Sequence, residues 1–332
     1  MNRSSRSNRY SRSNRYSRSN RYSKKNRFSR KNRFSRKNRF SRRNRKRTMR
    51  NNRNNRKNLN NLKVNVLTYN MSWATQINKL SGSEYGFVKD CQRLYKQGGI
   101  TCNENAIEGI GQLQRLHLVG LQEVNSNLED KIKDKHPNLK TYQRGTYGIS
   151  TVSILWDPDI FGNLVDKIVF NLGKKKNHRP CLIVLTKKNN DYFILINIHA
   201  AHKFEYLPKY LSHNLSKLNN NSIIKQKLQN DNTKIIVMGD FNDNNYNITK
   251  DTPLIFHING KNLSLKHKLS KRTLKKHLRT CCWSSWRSWR HSGDYILTNN
   301  RVKQLRMYIP KYFNGSFQKF SDHKPVLSEL VI

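Results

Sequence analysis

Six short segments place a carboxylate, amide or imidazole side chain at the end or the start of an apolar run of strand length. Taken singly, each has an ordinary structural explanation, because Asn and Asp often end strands and a lone histidine is usually structural. Together they predict an anionic cleft, and a buried carboxylate is costly unless it is paired or binds a metal. The segments are LTYN (Asn70), LQEV (Glu123), INIH (His199), MGDFN (Asp240 and Asn242), GDYIL (Asp294) and SDHKP (Asp322 and His323).

The elements that must position these side chains are mostly strands. Helices are predicted over 103–115 and 204–229, the second interrupted at Pro208, and Asn189-Asn190-Asp191 reads as a hairpin turn. Because strands outnumber helices and often follow one another, we expect two mixed sheets packed face to face with helices outside. The predicted strands are 63–69, 117–122, 151–156, 165–170, 180–187, 192–199, 234–239, 294–298, 302–307 and 325–331.

The order and content of these segments resemble the endonuclease/exonuclease/phosphatase superfamily. This superfamily includes deoxyribonuclease I, apurinic endonucleases, sphingomyelinases, inositol-polyphosphate 5-phosphatases and deadenylases. The most specific motifs are Gly-Asp-Phe-Asn at 239–242 and Ser-Asp-His-Lys-Pro-Val at 321–326. The resemblance spans residues 62–332 and implies a four-layer α/β sandwich with its active site at one edge of the two sheets.

The resemblance also implies a metal site. Glu123 is similar to the main magnesium ligand of the superfamily, with Asn70 and Asp322 completing or supporting the site. Mg²⁺ typically takes one or two protein carboxylates and keeps several waters, which suits this set. The expected cofactor is therefore Mg²⁺, with Mn²⁺ as the alternative.

The same resemblance also implies catalytic roles. Asp240 resembles the carboxylate that orients or deprotonates the attacking water, and Asn242 the amide that positions the phosphate. His323 would stabilise charge on the phosphoryl oxygens or exchange a proton, with Asp294 holding its imidazole in the useful tautomer. His199 resembles the second histidine of the deoxyribonuclease I and sphingomyelinase branches, which weighs against the apurinic endonuclease branch.

Some positions depart from the family pattern. The segment 142–150, where an acidic partner for His199 would be sought, contains no acid, and His202 stands where a proline is common. Arg179 matches a frequent arginine on the substrate side of the site. A phosphate contact and an ordinary surface arginine are both open for it.

Charge is distributed very unevenly along the chain. The formal net charge is +46, and residues 1–63 hold 26 of the 66 Lys and Arg residues and none of the acidic ones. Residues 8–43 are six consecutive hexads of the NRYSRS or NRFSRK type, each with one aromatic residue. Such dense like charge predicts a disordered arm and linker over 1–61, ahead of a folded domain over 62–332. Nucleic acid is the expected partner of both parts, and an anionic membrane surface is the rival.

The sequence says little about the cellular compartment or the oligomeric state of the protein. No apolar segment follows the basic N-terminus, and the longest apolar stretch is too short to span a bilayer. The five cysteines are scattered without C-x-x-C spacing, which argues against a disulfide framework or a zinc site. We expect an intracellular, non-secreted protein, with the nucleus or a virion as candidate locations. The oligomeric state is not indicated.

Three tryptophans precede the Asp294 strand at three-residue spacing, with arginines between them. Trp283, Trp286 and Arg287 are candidate substrate contacts, because indoles stack on bases while arginine binds phosphate. A helical turn that packs its indoles into the core is the structural alternative.

The sequence therefore predicts a Mg²⁺-dependent phosphodiesterase, with DNA or RNA as the preferred substrate because arm and body are both basic. One alternative is a phosphatase or phospholipase that acts on small or lipid phosphoesters. The other is an inactive relative retained as a nucleic-acid-binding or packaging protein, although such a protein should have lost part of the polar set.

Overall fold

Two mixed β-sheets form the body of the protein. The computed structural model describes residues 62–76, 88–91, 93, 100–148, 150–173, 178–202, 204–283, 289–313 and 320–332, all within the unit Asn58–Ile332. The strands are β1 (Lys63–Asn70), β2 (Leu118–Gln122), β3 (Thr141–Tyr147), β4 (Ser150–Trp156), β5 (Asn163–Asn171), β6 (Pro180–Lys188), β7 (Asp191–His199), β8 (Lys234–Asp240), β9 (Leu254–Ile258), β10 (Lys261–Leu265), β11 (Cys281–Trp283), β12 (Trp289–His291), β13 (Asp294–Thr298), β14 (Lys303–Tyr308) and β15 (Val326–Val331).

Helices occupy the connections between the strands. They are α1 (Trp73–Gln76), α2 (Ile100–Gly111), α3 (Ser126–Lys135), α4 (Pro158–Phe161), α5 (Tyr206–Ser216), α6 (Ile223–Leu228) and α7 (Lys271–His277), with a 3₁₀ turn at Lys311–Phe313. Apolar residues of α2, α3, α5 and α6 join the same hydrophobic core as the strands. The predicted α/β sandwich with two packed mixed sheets is confirmed.

Parallel pairing brings the chemically important strand ends together. The six-stranded sheet has the order β14-β15-β1-β2-β4-β3, and the five-stranded sheet has the order β13-β8-β7-β6-β5. β1 and β2 run parallel with Asn70 opposite Gln122, and β7 and β8 run parallel with His199 opposite Asp240. Because parallel strands finish at the same edge of a sheet, the polar residues that end them become neighbours.

The two sheets are joined by a buried polar cross-link as well as by apolar packing. The Asn197 side chain on β7 donates to the carbonyl oxygens of Leu121 and Ser153, each at 2.8 Å, and accepts from Gln122 at 2.6 Å. These bonds connect β7 of one sheet to β2 and β4 of the other. Since an unsatisfied buried amide is costly, the network fixes the relative positions of the sheets near the polar edge.

Most predicted elements are confirmed, and the errors have identifiable causes. All ten predicted strands exist, and Asn189 and Asn190 form the predicted two-residue turn, with Asn189 at φ 55°. The interruption at Pro208 is wrong: Pro208 lies in the first turn of α5, where its missing N–H has no helical partner to lose. The break falls instead between α5 and α6. The helix α3 was not predicted because most of its residues are charged or polar.

The expectation that the cysteines form no disulfide framework stays a prediction. The Cα atoms of Cys91 and Cys102 lie 6.2 Å apart, a separation that a disulfide can span. Cys181 is buried and unpaired. No helix in the described ranges is both long enough and apolar enough to cross a membrane. The predicted arm over 1–61 lies outside the described residues.

Candidate active site

Glu123 is held at the end of β2, in an unusual backbone conformation, by hydrogen bonds from the segment after β1 and by its own N–H, which donates to the Thr151 carbonyl oxygen at 2.9 Å. It has a φ of 52°, which is uncommon for a residue with a side chain. Its Oε2 accepts from the Trp73 N–H at 2.7 Å, and its Oε1 accepts from the Asn70 amide at 3.3 Å. Gln76 donates to its backbone carbonyl. The segment after β1 thus fixes the carboxylate that ends β2.

Asn70 connects the two sheets at this edge. Its Nδ2 lies 3.3 Å from Oε1 of Glu123 and 3.3 Å from Oδ2 of Asp240. Ser321 donates to the Asn70 carbonyl oxygen at 2.7 Å and accepts from the His323 N–H at 3.2 Å. The segment 321–323 is therefore tied to the end of β1, which brings Asp322 and His323 to the site.

The carboxylates of Glu123 and Asp322 form no ion pair with a Lys or Arg within the described part of the chain. Burial, and then the nearby charge of Asp322, raise the pKa of Glu123 above its ordinary value. The nearest basic group is His199, whose Nε2 is 3.5 Å from Oε1 of Glu123. Burial and the Arg179 guanidinium hold the pKa of His199 well below its usual range, so it is neutral. This anionic oxygen set fits a hard divalent cation. Asn70 supports it with its Nδ2, which faces Glu123, while its Oδ1 accepts from the Ser72 N–H at 3.1 Å.

Asp240 occupies the centre of the site because β8 approaches β7 very closely. The preceding Gly239 has a φ of 144°, and a Cβ there would lie 2.0 Å from the Ile198 carbonyl oxygen, so only glycine fits. Oδ1 of Asp240 accepts from the Asn242 N–H at 2.9 Å. Burial raises the pKa of Asp240, although the His323 imidazole opposes the shift.

Asn242 is held in an unusual conformation beside this carboxylate. Its φ is 49°, and its Nδ2 donates to the Ala200 carbonyl oxygen at 2.8 Å. The side chain is therefore anchored to the end of β7 as well as to Asp240.

His323 and Asp294 form a buried dyad. Nδ1 of His323 lies 2.9 Å from Oδ2 of Asp294, and Asp294 stands directly opposite Asp240 in the β13–β8 register. Burial alone would lower the pKa of His323, but the Asp294 and Asp240 carboxylates outweigh it and raise that pKa well above its ordinary value. The imidazole is therefore cationic, and its Nε2 lies 3.7 Å from Oδ2 of Asp240.

Asp240, Asp294 and His323 also bring metal-ligand atoms within 4.8 Å of one another. Nδ1 of His323 is not free to bind a metal in this arrangement, because it is already bonded to Oδ2 of Asp294. Glu123 and Asp322 form no ion pair with a Lys or Arg of the described residues and are the better candidates for metal ligands.

The partners of His199 differ from the acid sought in the sequence. Its Nδ1 lies 3.3 Å from the Ser150 hydroxyl, and its Nε2 accepts from Nη1 of Arg179 at 2.7 Å. Nη2 of the same guanidinium donates to Nε2 of His202 at 2.9 Å. One arginine therefore binds two imidazoles, and each must present a neutral nitrogen to accept its bond.

Sequence reasoning missed three residues at this edge. Ser150 lies in the segment 142–150, which contains no acid. His202 stands where the related family commonly has a proline, and this difference does not indicate a contact with Arg179. Nδ1 of His202 is 3.2 Å from Oδ1 of Asn242, so His202 joins Arg179 to the Asn242 amide. Sγ of Cys281 lies 3.4 Å from Nε2 of His323, a contact with no local sequence signal.

The structure brings nine of the predicted site residues to one edge of the sheets. Of the three candidates in the tryptophan segment, only Trp283 is described, by its backbone, which pairs with that of Trp289 in the two-stranded β11–β12 sheet. Trp286 and Arg287 lie outside the described residues. The nine residues are Asn70, Glu123, Arg179, His199, Asp240, Asn242, Asp294, Asp322 and His323.

The fold and this polar edge define an α/β sandwich of the phosphoesterase type, and comparison with known proteins agrees. The model of the Endonuclease/Exonuclease/phosphatase family matches residues 68–323. The chain belongs to this family, whose members are phosphoester hydrolases. No curated protein sequence matches the chain.

Solved structures share the fold at low sequence identity. ANGEL2, a 2′,3′-cyclic phosphatase, solved with adenosine-2′,3′-vanadate, is 16% identical with a TM-score of 0.57, covering 82% of this chain and 96% of that one. TDP2 from Caenorhabditis elegans is 13% identical with a TM-score of 0.53, covering 83% and 76%. An endonuclease/exonuclease/phosphatase family protein from Bacteroides thetaiotaomicron is 17% identical with a TM-score of 0.52, covering 81% and 95%. These likenesses establish the architecture.

Proposed function

We propose that this protein is a Mg²⁺-dependent phosphodiesterase that cleaves DNA or RNA by in-line attack of water. The observation that carries the proposal is the meeting, at one sheet edge, of Asp240, the His323–Asp294 dyad and the Glu123 and Asp322 carboxylates. An inactive binding protein has no reason to keep this set assembled.

Each of four site residues has a defined task in this reaction. Asp240, whose pKa is raised by burial, orients the attacking water and accepts its proton while the water oxygen bonds to phosphorus and the opposite P–O bond breaks. The cationic His323 stabilises negative charge on the phosphoryl oxygens or returns a proton to the leaving oxygen. Asp294 keeps its imidazole in position, and the anchored Asn242 amide positions the phosphate.

Glu123 and Asp322 would hold the metal ion, and the Asn70 amide would support the site by its bond to Glu123. When bound, Mg²⁺ supplies Lewis acidity and a template for the phosphate oxygens. Mn²⁺ is the alternative ion, because it also accepts carboxylate oxygens.

Nucleic acid is the favoured substrate because of the charge of the whole chain. The formal net charge is +46, and a field of this sign attracts polyanions and raises their association rate. Small or lipid phosphoesters are the competing substrates, and the charge alone does not exclude them.

The test is a substrate panel assayed with the purified full-length chain. We expect Mg²⁺-dependent hydrolysis of single-stranded DNA, double-stranded DNA or RNA that exceeds hydrolysis of phosphoinositide vesicles, and that EDTA abolishes. Asp240→Asn should lower kcat by at least ~10²-fold, as expected for a group acting on the transition state. Asp130→Asn is the matched control, because Asp130 is exposed and pairs only with Lys133 among the described residues. Near wild-type turnover of folded Asp240→Asn would show that the site is wrongly assigned.

A further inference from the structure

A polar cavity opens beside the catalytic residues. Its volume is about 580 Å³, and it begins at Asn242 and His202, which belong to the site described above. One wall is the start of α5, a second is the loop after Asn242, and the floor is the segment that leads into β9. This volume lies in the range of small-molecule sites and can hold a nucleoside.

The loop wall is rigid before any ligand binds. The carboxylate of Asp243 is fully buried and accepts from the Asn247 N–H at 2.9 Å, the Asn247 amide at 2.8 Å and the Ile248 N–H at 3.0 Å. The phenol of Tyr295 also donates to it, at 3.3 Å. These bonds fix the backbone of the loop, which lowers the entropic cost of ordering it when a ligand binds.

The amides on the outer side of this loop are available to a ligand. Asn244 and Asn245 are exposed and line the cavity. Neither side chain forms a hydrogen bond to any residue that the structure describes. Each offers a donor and an acceptor close together, the pattern that pairs with the edge of a base.

Apolar surfaces face the same cavity. Phe204 and Pro208 contribute from the α5 side, and Pro253 and Ile255 from the floor. Ile255 is 42% exposed, one of the few large apolar side chains so open to solvent in the described part of the chain. A flat nucleobase can pack against these apolar surfaces. A ring that carries a hydroxyl group on every carbon would lose the hydration of those hydroxyls there.

The charge of the lining separates nucleotides from the competing phosphoesters. No Lys or Arg is among the described residues that line the cavity, and its carboxylate is Glu205. A polyphosphorylated headgroup needs cations and would be repelled by this carboxylate. A neutral base is compatible with it, because a carboxylate accepts from exocyclic amino groups.

We propose that this cavity binds the nucleobase of a nucleotide that flanks the cleaved phosphodiester bond. The inference rests on the proposed function, and it adds that the cavity recognises the nucleobase of the substrate. Because the cavity shares Asn242 and His202 with the catalytic edge, a base bound there places its own phosphate at that edge.

A double-mutant cycle between enzyme and substrate tests the proposal. The full-length chain is assayed on a short single-stranded oligonucleotide in which the base on either side of the cleaved bond is replaced by an abasic tetrahydrofuran. Removal of the bound base should lower kcat/KM by about tenfold or more, because stacking and edge contacts are lost. The Asn244→Ala/Asn245→Ala double variant and Glu205→Gln, which alter two different walls, should lower kcat/KM on the intact substrate. On the abasic substrate both should lose much less, so the two losses are not additive.

Asn163→Ala is the control. Asn163 is exposed and lies opposite Lys187 near the end of β6, whereas the cavity is not lined by any residue of β5 or β6. Additive losses for both cavity variants on a cleaved oligonucleotide would overturn the nucleobase site and leave the nuclease function standing. If no oligonucleotide is cleaved, and the cavity variants change hydrolysis of phosphoinositides, the proposed function and this inference both fail. Melting temperatures within a few degrees of wild type confirm that the variants are folded.

Discussion

Nδ1 of His323 lies 2.9 Å from Oδ2 of Asp294, and both side chains are buried at the edge where the two sheets meet. The bond fixes the imidazole orientation and, with Asp240, keeps the ring cationic. It joins a strand of one sheet to the segment that precedes the last strand of the other.

We expect His323→Ala to lower kcat by at least ~10²-fold, since it removes a group that acts on the transition state. Asp294→Asn should lower kcat less, and the double variant should be no worse than His323→Ala alone, because Asp294 acts through His323. Steady-state kinetics of the three variants measure this. Multiplying losses in the double variant would mean that Asp294 has an independent role.

Arg179 binds two neutral imidazoles with the two ends of its guanidinium, and lysine cannot reproduce this fork. If the arginine also contacts the substrate phosphate, Arg179→Lys should raise KM by about tenfold with a smaller effect on kcat. Arg301→Lys is the matched control, because Arg301 is exposed and its guanidinium donates to a backbone carbonyl. An unchanged KM would assign Arg179 a purely structural role.

Deletion of residues 1–61 should leave the chemical step intact and weaken polyanion binding. An arm that neutralises Z phosphates contributes a slope of about −0.9Z in log K against log[salt] on duplex DNA. The deletion should therefore flatten the salt dependence as well as lower affinity, as measured by fluorescence anisotropy over a salt series. Unchanged affinity and slope would contradict a nucleic-acid role for the arm.

Substitution of the tryptophans before β13 distinguishes nucleotide from membrane binding. If they stack on bases, Trp283→Ala and Trp286→Ala should each weaken oligonucleotide binding by roughly 1–3 kcal/mol at unchanged melting temperature. Binding to anionic vesicles is measured in parallel, because a lipid phosphoesterase would use the same indoles at the membrane interface. Loss of vesicle binding alone would favour the lipid substrate, and a large drop in melting temperature would show that the indoles are core residues.

His267 should make folding stability depend on pH. Burial lowers the pKa of His267 to about 4, while its Nε2 donates to the Ile248 carbonyl oxygen and its Nδ1 accepts from the Leu269 N–H. Protonation must break the second bond. Because the folded pKa lies below the unfolded value of about 6.5, the contribution is complete above that value and is lost as the pH falls from 6.5 towards 4.

Between pH 7 and pH 5 this histidine should account for about 2 kcal/mol of lost unfolding free energy. Urea unfolding of the wild type and of His267→Gln at both pH values measures it. The variant is expected to be less stable at pH 7 and to lose less stability at pH 5. Equal losses in both proteins would show that His267 does not titrate as described.

The strand framework could be predicted from the sequence because it depends on local patterns. Apolar runs that become fully buried, such as 180–186 and 193–199, give a clear strand signal, and the turn at Asn189-Asn190 sets their pairing. β3 was missed because it is polar and largely exposed, so its sequence TYQRGTY carries no strong apolar signal. α3 was missed for a related reason, although Asn125 caps it as a helix start should be capped.

The residue types of the proposed active site could also be predicted from the sequence, because each follows or begins an apolar strand within a few positions. Their mutual geometry was decided only in the tertiary structure. The neutral state of His199, the bridge from Arg179 through His202 to Asn242, and the place of Ser150 and Cys281 depend on contacts between residues far apart in the chain. Such contacts follow from strand register and sheet packing, which bring charges and lone pairs into a buried space where their interactions are strong. A linear pattern of residues contains no information on those distances.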